Sequence, residues 1–130
     1  MEDTNVFALI DPTGGLHFET GVPDAMWDRT DPHFHTTSGF QVTHLLGHEH
    51  PGMRGYVGDV SALHPHEYPP NPVAEHVVAA IVGRPLLEVY GNLTLCGHQL
   101  DADGEDGIAG LTVEQQATIR DAHAEAEAVR

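Results

Sequence analysis

The sequence predicts an α+β fold: a small antiparallel or mixed sheet of about four strands, one helix packed on a face of that sheet, and a C-terminal helix. Three observations support this class. Short apolar segments in the first half are separated by turn residues, residues 71–83 form an amphipathic pattern with helix signals at both ends, and residues 112–130 begin with a second helix signal. With 130 residues, we expect a single domain over 1–130.

The first half of the chain predicts strands. Asn5–Ile10 is apolar on both faces, and the turn cluster DPTGG separates it from the alternating segment Leu16–Gly21, so the two are expected to form a hairpin. Met53–Val60 predicts another strand. Strand and helix patterns compete over Thr36–Gly47, and we favour a strand over the last part of that segment.

Two segments have the composition of loops. Gly21–Pro32 contains several turn residues, and Met26 and Trp27 are its expected anchors in the core. Asp101–Gly110 is acidic and rich in glycine. Its acids resemble part of a calcium-binding EF-hand loop, but the required glycine and the final glutamate are missing, so an acidic turn is the preferred interpretation.

Residues 71–83 form the clearest helix pattern in the chain. Asn71 is a favoured N-cap residue, and Pro72 suits the first helical position because its missing N–H needs no partner there. Gly83 suits the left-handed position that ends a helix. A stripe of residues spaced by four is expected to cover the sheet. The stripe consists of Val73, Val77 and Ile81, with Ala74 and Val78 beside it.

Residues 86–97 predict a strand through their period of two. Its core-facing residues are expected to be Leu87, Val89, Leu93 and Leu95. Cys96 falls on the opposite face with Tyr90 and Thr94, which favours a small packed residue over a nucleophile. Because Cys96 is the single cysteine, no intrachain disulfide can form, which fits a reducing cytoplasm.

The C-terminal helix is predicted over residues 112–130. Thr112 and Gln115 have the spacing of a capping box, and Val113, Ala117 and Ile119 are expected to dock in the first two turns. The end is mostly alanine and glutamate, so residues 124–130 are expected to fray or to contact a partner.

The second half also carries a family resemblance. The segments NPVAEHVVAAI, VYGNLTLCG and DADGEDGIAGLTVEQ resemble an uncharacterised domain-of-unknown-function family of phages, plasmids and high-GC Gram-positive bacteria. The resemblance covers Asn71–Gln115 and, more weakly, Phe7–Gly15, while the histidine-rich middle departs from the family pattern. It implies an accessory protein of a mobile element and names no catalytic residue.

The charge of the chain restricts its partners. Twenty acidic residues face five arginines and no lysine, which gives a net charge of −15 with neutral histidines. Genome composition or a saline habitat would explain this acidity, and so would a basic protein partner. Direct nucleic-acid binding is not expected, because the phosphate backbone would be repelled. No apolar run is long enough to span a membrane and no signal peptide is visible, so we expect a cytoplasmic protein.

Six histidines form three His-X-His pairs. On a strand, such a pair places two imidazoles on one face roughly 6–7 Å apart, and together they can bind one Zn²⁺. Neighbouring prolines favour loops, however, so solvated loop histidines are the preferred interpretation, with a zinc site or a pH-responsive patch as alternatives. The candidate zinc ligands are His33, His35, His48, His50, His64 and His66.

These patterns favour a non-enzymatic accessory protein that acts by protein–protein contact. No nucleophile elbow or phosphate-binding glycine loop is present, so no catalytic residue is predicted. Two alternatives stay open: a histidine-ligated metal protein or metal-assisted hydrolase, and an acidic DNA mimic that inhibits a nucleic-acid enzyme. The sequence also leaves a homodimer open.

Overall fold

The computed structural model describes residues 5–21, 23–32, 37–43, 52–58, 66–85, 88–100 and 106–128. Within these ranges it confirms the α+β class, with strands that all pair antiparallel and helices on both sides of the sheet. The elements are β1 (Asn5–Ile10), β2 (Leu16–Gly21), α1 (Pro23–Thr30), β3 (Thr37–Thr43), β4 (Gly52–Gly58), α2 (Pro72–Val82), β5 (Leu93–Leu100), β6 (Asp106–Ala109) and α3 (Val113–Ala128).

The sheet has six strands in the described residues, rather than the four or so that the sequence predicts. The order is β2-β1-β5-β4-β3, and β6 also pairs with β5. One edge of β5 pairs first with β1, through Leu93–Leu95, and then with β6, through Gly97–Leu100. Its other edge pairs with β4. Strand β5 is therefore the centre of the sheet, and the other elements are arranged around it.

The two faces of the sheet contact different helices. Leu93 and Leu95 of β5 belong to the larger core cluster, which also contains residues of α2 and α3. Cys96, on the opposite face, packs with Met26 of α1 in a smaller cluster. Because side chains alternate along a strand, α2 and α3 cover one face and α1 lies against the other.

Helix α2 begins and ends as the sequence predicts. Asn71 is fully buried, and its side-chain oxygen accepts a hydrogen bond from the backbone N–H of Ala74 at 3.1 Å. Its amide nitrogen donates to the carbonyl oxygens of Ile10 at 2.9 Å and Gly91 at 2.8 Å. Gly83 ends the helix in the left-handed conformation at φ 92°. The cap therefore joins α2 to β1 and to the segment that precedes β5.

The loop predicted over Gly21–Pro32 is wrong, because this segment contains helix α1. Its anchor is confirmed, since Met26 is 2% exposed. The hydroxyl of Thr30 lies 2.7 Å from that of Thr94 on β5. This contact spans 64 residues of sequence, so the helix depends on tertiary interactions that a local pattern does not reveal.

Three strand boundaries also differ from the prediction. Strand β3 covers Thr37–Thr43, the first part of its segment, with a register shift after Gln41. Strand β5 begins at Leu93, because Gly91 adopts a positive φ of 79°, and it continues to Leu100. The end of the predicted acidic loop forms β6, which gains its hydrogen bonds by pairing with β5.

Helix α3 has the predicted cap, and of its three predicted docking residues Ile119 is buried. Thr112 and Gln115 exchange two hydrogen bonds of 3.0 Å, which confirms the capping box. The docking predicted for Val113 is wrong, since this residue is 80% exposed, and Ala117 is exposed as well. The buried residues are Ile119, Ala122 and Ala126. The helix therefore contacts the core through one isoleucine and two alanines, and it extends to Ala128.

Candidate protein-binding surface

Most of the candidate zinc ligands lie outside the described residues. These are His33, His35, His48, His50 and His64. His66 is described, and its side chain is exposed. Within the described ranges, no group of three His, Cys, Asp or Glu side chains is arranged to hold a metal ion. The zinc site therefore stays a prediction.

In the described ranges, acidic side chains at the surface have few arginine partners. Between described residues, a single ion pair joins a guanidinium to a carboxylate, that of Arg29 with Glu19 at 2.7 Å. The guanidinium of Arg120 instead lies over the ring of Phe18, 4.7 Å from its centroid. The net charge of −15, which already counts the five arginines, makes the protein strongly acidic.

Two sides of α3 contact different parts of the protein, because a period of 3.6 residues points neighbouring side chains in different directions. On one side, His123 donates through Nε2 to the carbonyl oxygen of Gly14, 2.7 Å away, and so contacts the β1–β2 turn. On another side, Asp121 and Glu125 lie at i and i+4 beside α2. Glu114 lies on the same side, because it precedes Asp121 by seven residues, or about two helical turns. This side of α3 therefore carries a row of carboxylates.

A groove lies between α2 and α3, next to this row. Its larger part has a volume of about 430 Å³, and Ala79, Ala80 and Ala126 contribute to its lining. A second depression of about 220 Å³ continues it. Both parts share Ala80, Ala122 and Glu125. We call the two parts together the α2–α3 groove, which has small apolar residues along its base and charged residues at its rim.

The charged groups at the rim are not engaged elsewhere in the described structure. In that part of the chain, Arg84, Asp121 and Glu125 form no side-chain hydrogen bond and no ion pair. All three side chains are exposed. They neither stabilise the fold through partners nor lose solvent contact, so their charges remain available to a ligand.

Polar residues on the opposite face of the sheet are hydrogen-bonded within the protein. Arg54 donates to the side-chain oxygen of Gln41 at 3.5 Å, and the amide nitrogen of Gln41 lies 3.2 Å from Nδ1 of His98. The buried hydroxyl of Tyr68 donates to the buried carboxylate of Asp31. The first two contacts join β3, β4 and β5, and the third joins the residue after α1 to the segment before α2, so all of them have a structural role.

Cys96 lies on the same face and is 1% exposed. Burial raises the pKa of its thiol to about 12, although the positive charge of Arg54 opposes this shift. The thiol is therefore protonated at neutral pH and is a poor nucleophile. This confirms the expectation that Cys96 is a packed residue.

Comparisons with known proteins do not assign the chain to a family. No family model, no curated protein and no solved structure matches the chain, so the family resemblance over Asn71–Gln115 stays a prediction. Among the described helices, none combines the length and the apolar character needed to cross a bilayer.

Proposed function

We propose that this chain is a non-enzymatic accessory protein that binds a basic partner protein through its acidic surface. The observation that carries the proposal is the excess of 20 acidic residues over five arginines and no lysine, with a single arginine–carboxylate ion pair between described residues. Such a surface attracts positively charged proteins over a distance and increases their rate of association. The resemblance over Asn71–Gln115 adds a phage or plasmid as the setting in which this protein acts.

The chemistry of the described side chains supports binding more than catalysis. Cys96, the residue with the strongest nucleophilic potential, is buried and protonated. Arg54, Gln41 and His98 are connected to one another on the α1 face. The exposed charged groups without an ion pair or side-chain hydrogen bond in the described structure include Asp121, Glu125 and Arg84, which are suited to forming ion pairs with another protein.

Affinity purification from a lysate of the producing organism tests this function. The full chain is immobilised on one column, and an unrelated folded protein of equal negative charge is immobilised on a control column. We expect a basic protein to be retained by this chain alone at low salt. It should elute as the salt approaches about 1 M, where the screening length falls to roughly 3 Å.

Two results would contradict the proposal. The first is retention of the same proteins on both columns, which would mean that the acidity has no specific role. The second is retention that does not change with salt, because charge would then not drive the association. Release of the captured protein by added DNA would replace the general proposal with the DNA-mimic alternative, in which the basic partner is a nucleic-acid enzyme.

A further inference from the structure

We infer that the α2–α3 groove is the docking site for a basic amphipathic helix of the partner protein. This inference rests on the proposed function and adds to it a location and a kind of partner segment. A helix in this groove would lie beside both helices and extend the helical layer on that face of the sheet. Recognition of an amphipathic helix by an apolar groove is a common mode of protein binding.

The shape of the groove favours a helix as its occupant. Ala79, Ala80 and Ala122 line it, and their side chains extend no further than a methyl group. Small residues at a contact allow two helix axes to approach near the short end of the usual 8–10 Å range. The volume of about 430 Å³ lies within the range of about 300–1,000 Å³ typical of ligand sites, so the groove can receive apolar side chains from such a helix.

The charges at the rim specify a basic occupant. Asp121 and Glu125 are one helical turn apart, and side chains at this spacing have Cβ atoms about 5–6 Å apart. Lysine or arginine residues at i and i+4 of a partner helix have the same spacing and can pair with both carboxylates. Arg84 lines the groove directly after Gly83, the C-cap of α2, and its positive charge favours a bound helix whose negative C-terminal end lies nearby.

Charge also argues against a second copy of this chain in the groove. Each copy carries −15, and bringing two strongly acidic surfaces together is unfavourable. A second copy would contribute more carboxylates than arginines at any surface that contains α3. The partner with complementary chemistry is therefore a basic helix of a different protein.

Binding of two synthetic peptides tests the inference with the full chain. The probe is an 18-residue peptide with leucine on one helical face and lysine on the other, and the control peptide has the same composition in scrambled order. Calorimetry at low salt measures both affinities. We expect the amphipathic peptide to bind at least about tenfold more tightly, because the scrambled peptide has the charge but no continuous apolar face.

Two pairs of variants locate the bound peptide. Ala80→Leu fills the groove without changing the charge, and Ala124→Leu makes the same change at an exposed position of α3 outside the residues that line the groove. Asp121→Asn with Glu125→Gln removes two rim charges, and Glu67→Gln with Glu88→Gln removes two exposed charges elsewhere. We expect about a tenfold loss of affinity for each groove variant and less than a twofold change for each control.

Three results would overturn the inference. Equal binding of both peptides, with groove and control variants alike, would exclude the groove but leave the acidic-surface function intact. Absence of peptide binding would also exclude the groove, and the function itself would fail only if the lysate experiment failed as well. A dimer by analytical ultracentrifugation that becomes monomeric in Ala80→Leu would identify the occupant as a second copy.

Discussion

Helices α2 and α3 lie on the same face of the sheet and share one core cluster, but they bury different side chains. Over 11 residues, α2 buries four, of which three are valines. Over 16 residues, α3 buries three, of which two are alanines. Because burial stabilises roughly in proportion to apolar area, α2 contributes more to the fold per residue than α3 does.

The first residues of the two helices also differ in how strongly they are connected to the rest of the fold. Asn71, at the start of α2, is buried and forms hydrogen bonds with three different segments. Thr112, at the start of α3, is exposed and exchanges its hydrogen bonds with Gln115, in the first turn of the same helix. The sequence of α2 is thus restricted by the fold, whereas most positions of α3 are free to carry residues that a partner recognises.

The largest contrast is expected from an aspartate placed in each helix. Val77→Asp puts an unpaired charge at a fully buried position of α2, which should destabilise the fold by about 3–5 kcal/mol or more. Ala117→Asp makes a charged change at an exposed position of α3 and should cost well under about 1 kcal/mol. Urea denaturation measures both, and a Val77→Asp protein as stable as the wild type would show that α2 does not cover the sheet.

The second-largest contrast in stability is expected from changes to the N-cap residues of the two helices. Asn71→Asp keeps the oxygen that caps α2 but removes the two donors to Ile10 and Gly91, so it should cost roughly 2–4 kcal/mol. Thr112→Ala removes the exposed cap of α3 and should cost about 1 kcal/mol or less. Thermal unfolding at neutral pH compares them. Equal losses of stability would mean that the buried amide is no more important than an ordinary cap.

Truncation of α3 tests how much the end of this helix contributes to the stability of the fold. From the sequence, deleting residues 124–130 is expected to change the melting temperature by only a few degrees. The structure assigns Ala126 to the core, so we expect a loss of about 1 kcal/mol, or roughly 3–6 °C. Deleting residues 127–130 retains Ala126 and should have less than half this effect. Failure of the shorter chain to fold would place the end of α3 among the essential elements.

The smallest effect is expected in acid, at the turn that α3 contacts. Partial burial of Asp11 opposes ionisation, but hydrogen bonds from Thr13, His17 and Gly15 outweigh it and lower the pKa of this carboxyl from 3.8 to about 2. The charged form therefore stabilises the fold above about pH 3.8, and this contribution is lost as the pH falls toward 2. Asp11→Asn should remove this part of the pH dependence. An unchanged acid profile in this variant would show that other carboxyls account for it.

Local signals predicted the hairpin and α2 correctly. The turn DPTGG fixes the pairing of Asn5–Ile10 with Leu16–Gly21, and Asn71 and Gly83 mark the two ends of α2. These features depend on neighbouring residues, so a sequence pattern is sufficient to find them. In contrast, α1 depends on a contact between Thr30 and a strand far along the chain, and β6 depends on its pairing with β5.

The groove was not predicted, because it depends on how α2 and α3 pack together. The residues of α3 expected to dock were Val113, Ala117 and Ile119, whereas the structure buries Ile119 together with Ala122 and Ala126. Close packing against α2 explains why alanines are buried in α3, since small side chains allow two helices to approach. Two sequence features could have indicated the groove. They are the pair Ala79–Ala80 and the two acids Asp121 and Glu125, which are spaced by one helical turn.

A map of amide chemical shifts tests the central claim most directly, namely that the α2–α3 groove and the carboxylates at its rim bind the partner. The full chain is titrated with the 18-residue amphipathic peptide, and every backbone amide is followed by NMR. The account predicts shifts concentrated in residues 76–84 and 114–126, with little change in β2 and β3. Shifts centred on the α1 face, or spread evenly over the acidic surface, would contradict it.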